Sequence, residues 1–140
     1  MARSADEHSH GSAAEREAIL AVVLDYIAGW FDADAARVER ALHPELCKRS
    51  LRPDGTVSTL TAPMLIEYAT QGRGRGEDAP DRRVHVEVDH IDGALAAAVV
   101  RCHQYVDYMQ LVRTAGGWKI LNVLCRRRHH PATPTAPRPP

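Results

Sequence analysis

The pattern of apolar positions begins with a helix. Five apolar residues recur at helical spacing and share one predicted face: Ile19, Val23, Tyr26, Ile27 and Trp30. Ser12 and Glu15 precede them as an S-x-x-E capping box, which satisfies free backbone N–H groups at a helix start. Asp34 can cap a second, short helix that runs through Leu42, and Pro44 disfavours helical geometry just after it. The first part of the core is therefore predicted to be helical.

The next stretch predicts a hairpin followed by a third helix. Asp54 and Gly55 form a turn signal between two short runs that contain apolar residues, within residues 45–60. Thr61 can cap a third helix, and Gly72 is a typical stop residue for it. The segment after Gly72 is rich in Gly, Arg and acidic residues, which predicts a solvated loop.

After residue 82 the pattern changes from helical spacing to alternation. Apolar and polar residues alternate over residues 84–89, as in a half-buried strand. Glycine turns at 92–93 and 116–117 separate the later strands. Three further strands are predicted: 95–105, 106–114 and 118–125. Helices followed by consecutive strands indicate an α+β domain whose antiparallel sheet curls around the helices.

Charge and hydropathy exclude two classes of function. The 140 residues carry 18 Lys plus Arg and 18 Asp plus Glu, so the formal net charge is zero. A dedicated nucleic-acid binder usually has a basic excess, so no nucleic-acid partner is expected. No apolar run approaches the ~18 residues that a membrane helix needs, so no membrane partner is expected either.

The two ends and the cysteines complete the outline. Residues 1–11 are small, polar and charged, and residues 129–140 are rich in proline. Both segments are predicted to be disordered, which leaves one domain at 12–128. No secretory signal is visible, and the three cysteines (Cys47, Cys102 and Cys125) are an odd number in apolar surroundings. Reduced thiols and a cytoplasmic location are therefore expected.

Three stretches resemble a known superfamily. They are YIAGWFDAD at 26–34, LHPELCKR at 42–49, and YVDYMQLVR at 105–113 followed by GWKILNVL at 117–124. Over residues 14–125 the chain resembles nuclear transport factor 2-like proteins, most closely the branch called "Putative lumazine-binding". Ketosteroid isomerase-like and polyketide cyclase-like proteins are related to it. The resemblance implies a cone of three N-terminal helices packed on a curved antiparallel sheet, with a pocket between them.

The resemblance also tests one mechanism. Tyr26 falls where the related ketosteroid isomerases carry an oxyanion-hole tyrosine. Without gaps, their general-base aspartate aligns with Ser50, which has no basic group near neutral pH. An isomerase of that mechanism is therefore disfavoured, although a gap of a few residues would bring Glu45 to this position.

Four residues in the helical half are candidates for ligand binding. Tyr26 and Trp30 lie one helical turn apart and either line the pocket or belong to the core. His43 is either an acid/base group or a helix C-terminal cap, where the dipole favours a cation. Arg49 pairs either with a carboxylate or phosphate of a ligand or with a surface acid.

The strands supply the candidate catalytic residues. His103, Tyr105 and Asp107 alternate, so an unbroken strand would place them on one face. His103 and Asp107 would then form an oriented catalytic acid/base pair, with Tyr105 as a hydrogen-bond donor to the ligand. A bulge would change the face, and one face of this strand could instead pack against a dimer partner. The Asn122 amide, between apolar neighbours, would bind either a ligand or neighbouring backbone.

The sequence predicts neither a metal nor a cofactor. No CxxC, no HExxH and no glycine-rich phosphate loop after a strand occurs. We expect a pocket protein for a small apolar or mixed-polarity ligand, acting as a cofactor-independent isomerase, dehydratase or cyclase by general acid/base chemistry. The alternative is a non-catalytic ligand-binding or dimeric interaction module. In either case the sheet is expected to form a homodimer.

Overall fold

The computed structural model describes residues 12–77 and 82–128. The ends that the sequence predicts to be disordered lie outside these residues. The helices are α1 (Ala13–Phe31), α2 (Ala35–Ala41) and α3 (Ala62–Thr70), with a short 3₁₀ helix at Arg73–Glu77. The strands are β1 (Leu42–Leu51), β2 (Val57–Thr61), β3 (Val84–Asp92), β4 (Leu95–Cys102), β5 (Tyr105–Thr114) and β6 (Gly117–Arg127).

The predicted caps fix the starts of the three helices. The Ser12 side chain accepts a hydrogen bond from the backbone N–H of Glu15 at 3.0 Å. The side chains of Asp34 and Thr61 cap α2 and α3 in the same way. These contacts satisfy N–H groups that have no partner within the helix. The capped starts are confirmed, and α2 ends at Ala41, one residue before the predicted end.

The sheet is mixed, which corrects the prediction of an antiparallel sheet. The strand order is β2-β1-β6-β5-β4-β3, and β1 pairs with β6 in parallel while every other neighbouring pair is antiparallel. The antiparallel pairs follow from tight turns, whereas the β1–β6 pair joins distant parts of the chain and leaves no turn signal. The order predicted from the sequence pattern is confirmed, because two helices precede the sheet and α3 follows the β1–β2 hairpin. The three N-terminal helices that the resemblance implied are corrected by the same order, since α3 lies between strands.

The inner face of the sheet packs against the helices. Side chains such as Met109, Leu111 and Ile120 are at most 2% exposed there, together with Ile19 and Val23 of α1. Residues directly opposite each other on paired strands share a face. None of the described helices is long and apolar enough to span a membrane.

The outer face of the sheet carries exposed apolar side chains. Arg49, Leu124 and Tyr108 lie opposite one another across β1, β6 and β5. Tyr108 is 55% exposed and Leu124 is 54% exposed. Neighbouring positions on this face carry Gln110 and Asn122, whose amides are hydrogen-bonded at 3.1 Å.

Candidate active site

A cavity of about 340 Å³ lies between α1 and the inner face of the sheet. Its wall also includes residues of α3, the β1–β2 hairpin and the 3₁₀ helix. Buried or half-buried side chains with polar atoms in this wall include Tyr26, Lys48, Ser50, Tyr105, Asp107 and Cys125. The apolar part of the wall includes Ile27, Trp30, Phe31, Leu60 and Leu65. A few polar groups in a largely apolar cavity are typical of small-molecule sites.

Lys48 and Tyr26 form a hydrogen-bonded pair in this wall. The Lys48 ammonium donates to the Tyr26 hydroxyl oxygen at 2.8 Å, so the hydroxyl proton remains available to a ligand. The ammonium lies 5.4 Å from the Tyr26 ring centre and 5.7 Å from the Tyr105 ring centre. Burial raises the pKa of Tyr26, and the nearby ammonium opposes this rise. Burial lowers the pKa of Lys48, but Tyr26 and Asp107 outweigh burial and hold it well above its usual range.

Asp107 is the buried acid of the cavity. The residue is 1% exposed, and its Oδ1 atom has no hydrogen-bond partner among the described residues. Burial raises the pKa of its carboxyl group, and the Lys48 ammonium and the Cys125 thiol oppose this rise. An ionised carboxylate in this position is costly, because it has left water without gaining a full set of donors.

Cys125 connects Asp107 to Ser50 across three strands. Cys125 lies opposite Asp107 on β5 and opposite Ser50 on β1. Its sulfur lies 2.8 Å from the Ser50 hydroxyl oxygen. Burial raises the pKa of the Cys125 thiol, so at neutral pH it remains a thiol rather than a nucleophilic thiolate. Cys125 therefore acts as a neutral neighbour of the Asp107 carboxylate.

Four of the sequence-predicted residues line this cavity. They are Tyr26 and Trp30 of α1 together with Tyr105 and Asp107 of β5. Ser50 also lies in the wall, at the position that a gapless alignment with the isomerases implies. Both Tyr26 and Trp30 contact the cavity, and both also belong to or pack against the hydrophobic core, so the two interpretations are not exclusive.

His103 does not join this group. The chain bends at residues 103–104, between β4 and β5, and the alternation of faces begins only at Tyr105. His103 is exposed and borders a different depression, together with Arg83 and Arg128. The structure therefore does not form the His103–Asp107 pair that an unbroken strand would have given.

Three further candidates lie away from the cavity. The Nδ1 atom of His43 accepts a hydrogen bond from the backbone N–H of Glu45 at 3.0 Å, a local backbone contact. Arg49 and Asn122 lie on the outer face of the sheet, where both are exposed. The interpretation of Asn122 as a buried amide is wrong, because Asn122 is exposed. The pairing of β5 with β6 skips one residue of β6 between the partners of Gln110 and Leu111, and this register shift turns Asn122 to the outer face.

Sequence reasoning missed Lys48. The signal for it was alternation along β1, where Leu46, Lys48 and Ser50 share the inner face. Once the alignment had placed Ser50 at the pocket, alternation along β1 would have placed Lys48 on the same face. Among the described residues, no group of three His, Cys, Asp or Glu side chains could hold a metal ion.

Solved structures share this fold. A nuclear transport factor 2-like protein of unknown function from Shewanella baltica has a TM-score of 0.66 at 15% identity, covering 86% of this chain and 98% of that one. Another from Silicibacter pomeroyi has a TM-score of 0.65 at 16% identity, covering 84% and 100%. A domain of unknown function with a cystatin-like fold from Nostoc punctiforme has a TM-score of 0.60 at 16% identity, covering 86% and 81%. At such identities the likeness shows the fold alone.

Sequence comparison gives the family. No curated protein matches the chain. The model of a family described as "Putative lumazine-binding" matches residues 14–125, which is most of the chain. The predicted resemblance to the nuclear transport factor 2-like superfamily is therefore confirmed, and the chain belongs to its "Putative lumazine-binding" family.

Proposed function

We propose that the chain binds a small molecule of mixed polarity in the cavity and removes a proton from it with the Asp107 carboxylate. The observation that carries this proposal is the Oδ1 atom of Asp107, which is buried in the cavity wall with no hydrogen-bond partner among the described residues. Buried polar atoms are normally satisfied, so an unsatisfied one beside a cavity is suited to a ligand. This use of Asp107 needs no partner from His103.

The environment of Asp107 suits a general base. A carboxylate with a raised pKa binds a proton more strongly than one in water, while it remains ionised at a pH above that pKa. The apolar walls around the cavity keep the carboxylate poorly hydrated. Both effects favour proton transfer from a C–H group, which is a weak acid.

The Tyr26–Lys48 pair is suited to stabilise the negative charge that proton removal creates on the substrate. When a proton leaves the carbon beside a carbonyl group, the electron pair of the C–H bond moves toward the carbonyl oxygen. A donor that meets the developing negative charge lowers the barrier. The Tyr26 hydroxyl is such a donor, and the ammonium that donates to its oxygen at 2.8 Å opposes the rise in the Tyr26 pKa that burial causes.

Isomerisation, dehydration and aldol cyclisation share this step. In each, Asp107 would take the proton from carbon and become a carboxylic acid, while Tyr26 would hydrogen-bond the enolate oxygen. The three reactions differ after the enolate has formed. In isomerisation the acid returns its proton to another carbon, and in dehydration it gives the proton to the leaving hydroxyl group. In cyclisation the enolate attacks a second carbonyl group, and the acid protonates the alkoxide that results.

Deuterium exchange tests the shared step without knowledge of the substrate. A panel of cyclic ketones is incubated in D₂O with the protein, and NMR follows deuterium uptake beside the carbonyl. We expect Asp107→Asn to slow exchange by about 10²–10⁴-fold, the usual contribution of a general base. The matched control is Asp89→Asn, an exposed acid on β3. Exchange that survives Asp107→Asn and is lost in His103→Ala would contradict the proposal.

A non-catalytic binding module is the second candidate. It needs the same cavity but no proton transfer, so native mass spectrometry of the purified protein would show a retained small molecule and no ketone would exchange. Loss of that molecule in Tyr26→Phe and Asp107→Asn would support the cavity as its binding site. A bound molecule that both variants retain would contradict binding in this cavity.

We also propose a homodimer through the outer face of the sheet. The exposed apolar side chains of Tyr108 and Leu124 lie opposite each other there, and a second copy would remove them from water. Leu124→Glu is expected to shift sedimentation from dimer to monomer. Leu20→Glu on α1 is the matched control, since Leu20 is also an exposed leucine. A wild-type monomer would contradict this proposal, which stands apart from the proposed chemistry.

The cone shape and the cytoplasmic location stay predictions from the sequence. Neither is needed for the proposed chemistry, which depends on the cavity and on the side chains in its wall.

A further inference from the structure

The wall of the cavity has an excess of positive charge. Among its described lining residues, four are cationic and one is a carboxylate. The whole chain carries 18 Lys plus Arg and 18 Asp plus Glu, so this excess is local. A concave surface with charge of one sign attracts ligands of the opposite sign.

The charges are separated by depth. Lys48 is half-buried and Asp107 is buried, and each influences the pKa of the other. These two charges therefore balance each other inside the cavity. The remaining cations are the exposed guanidinium groups of Arg52, Arg73 and Arg127, which we call the cationic rim.

Aromatic rings hold two members of the cationic rim in place. The Arg73 guanidinium carbon lies 3.7 Å from the Tyr68 ring centre, and its Nε donates to the Gln71 side chain at 3.1 Å. The guanidinium carbon of Arg127 lies 5.3 Å from the Tyr105 ring centre, and the group donates to the Tyr105 hydroxyl at 3.2 Å. Stacking uses the face of a guanidinium group, whereas carboxylates bind at its N–H edge.

We propose that the ligand of this cavity is a small apolar carboxylic acid in its anionic form. Its carboxylate would bind at the cationic rim, and its apolar body would lie against side chains such as Trp30, Phe31 and Leu65. This inference rests on the proposed function, because it names the class of molecule on which the cavity acts. A carboxylate fits the planar fork of arginine better than a spherical anion does.

Pairs of probes that differ in charge alone test the inference. The first pair is 2-naphthoate and 2-naphthamide, and the second is cyclohexanecarboxylate and cyclohexanecarboxamide. Calorimetry measures the Kd of each probe at low and at physiological ionic strength. We expect the anion of each pair to bind roughly tenfold more tightly than its amide, as one charge-assisted contact allows, and to lose part of this preference as salt is raised.

Neighbouring arginines on β6 provide a matched comparison. Arg127 lines the cavity, whereas Arg126 is exposed and is absent from its wall. Arg127→Gln and Arg73→Gln are expected to weaken binding of the carboxylates toward that of the amides, with the Kd of the amides unchanged. Arg126→Gln removes the same charge one residue away and is expected to leave both values unchanged.

The outcomes separate this inference from the proposed function. Equal binding of acid and amide, both lost in a Trp30→Ala variant, would keep the cavity as a ligand site and overturn the preference for acids. An acid preference that Arg126→Gln weakens as much as Arg127→Gln would also overturn it, because the attraction would not come from the cationic rim. No binding of either pair would overturn both the inference and ligand binding in this cavity.

Discussion

Asp107→Asn is expected to make the protein more stable while it slows proton transfer. The substitution keeps the shape of the side chain and removes its negative charge. In the native protein the carboxylate is 1% exposed, and its Oδ1 atom has no hydrogen-bond partner among the described residues. Its pKa is raised although the Lys48 ammonium opposes the rise, so ionisation costs folding free energy even with that cation present.

The size of the effect depends on the burial of one unsatisfied group. Leaving a buried polar group unpaired costs about 1–3 kcal/mol, and more when the group is charged. The amide of Asp107→Asn still buries a polar oxygen, so only the part of the cost that comes from charge is removed. We therefore expect the free energy of unfolding at neutral pH to rise by about 1–2 kcal/mol, within that range.

The pH dependence identifies the cause. Below the ordinary aspartate pKa of about 3.9, the carboxyl group is protonated in both the native and the unfolded chain. As pH rises through the raised native pKa of Asp107, the wild-type protein loses stability because the unfolded chain ionises more readily. The variant has no such loss. Its advantage should therefore be absent in acid, grow with pH and level off above the raised native pKa of Asp107.

Urea unfolding, followed by tryptophan fluorescence at a series of pH values, measures this difference. Asp89→Asn is the control, since Asp89 is an exposed acid whose replacement should change stability little. An Asp107→Asn protein that is less stable than wild type at neutral pH would refute the reasoning. It would show that the carboxylate gains more from its neighbours than it loses by burial.

Two further substitutions probe the neighbours of this acid and the wall around it. Lys48→Met is expected to lower the free energy of unfolding by about 1–3 kcal/mol at neutral pH, because Asp107 loses the positive charge that opposes the rise in its pKa. The loss measured by urea unfolding should shrink in an Asp107→Asn background, and an equal loss in both backgrounds would contradict this coupling. Gly74→Ala is expected to cost about 1–3 kcal/mol, because a Cβ atom there would lie 2.0 Å from the Trp30 carbonyl oxygen. Gly116→Ala, where the nearest atom would be 3.8 Å away, should cost less, and equal losses would contradict the assigned contact.

The elements that the sequence predicted correctly depend on local chemistry. Ser12, Asp34 and Thr61 satisfy N–H groups within three residues of themselves, so their patterns are readable without knowledge of the rest of the fold. The β1–β2 hairpin likewise follows from its own turn, which includes Asp54 and Gly55. The parallel pairing of β1 with β6 could not be predicted in this way, because four strands and the helix α3 lie between them in the chain.

The site was predictable only in part for a related reason. Tyr105 and Asp107 were found by alternation, which holds within one continuous strand. The same rule failed at His103, because the chain bends between β4 and β5 before that strand begins. Alternation along β1 could have placed Lys48 on the inner face, whereas its hydrogen bond to Tyr26 joins two different elements. Contacts between elements come from packing, which a local pattern does not encode.

Strand β6 serves two surfaces with alternate residues. Cys125 and Arg127 face the cavity, whereas Leu124 lies on the outer face of the sheet. Because successive side chains of a strand point to opposite faces, a one-residue slip of β6 would exchange the two sets. A single insertion in this strand would move Leu124 into the cavity and Cys125 out of it. The cavity and the outer face therefore depend on the same alternation of side chains, so an insertion or deletion here would disrupt both surfaces at once. A substitution, in contrast, can change one surface alone.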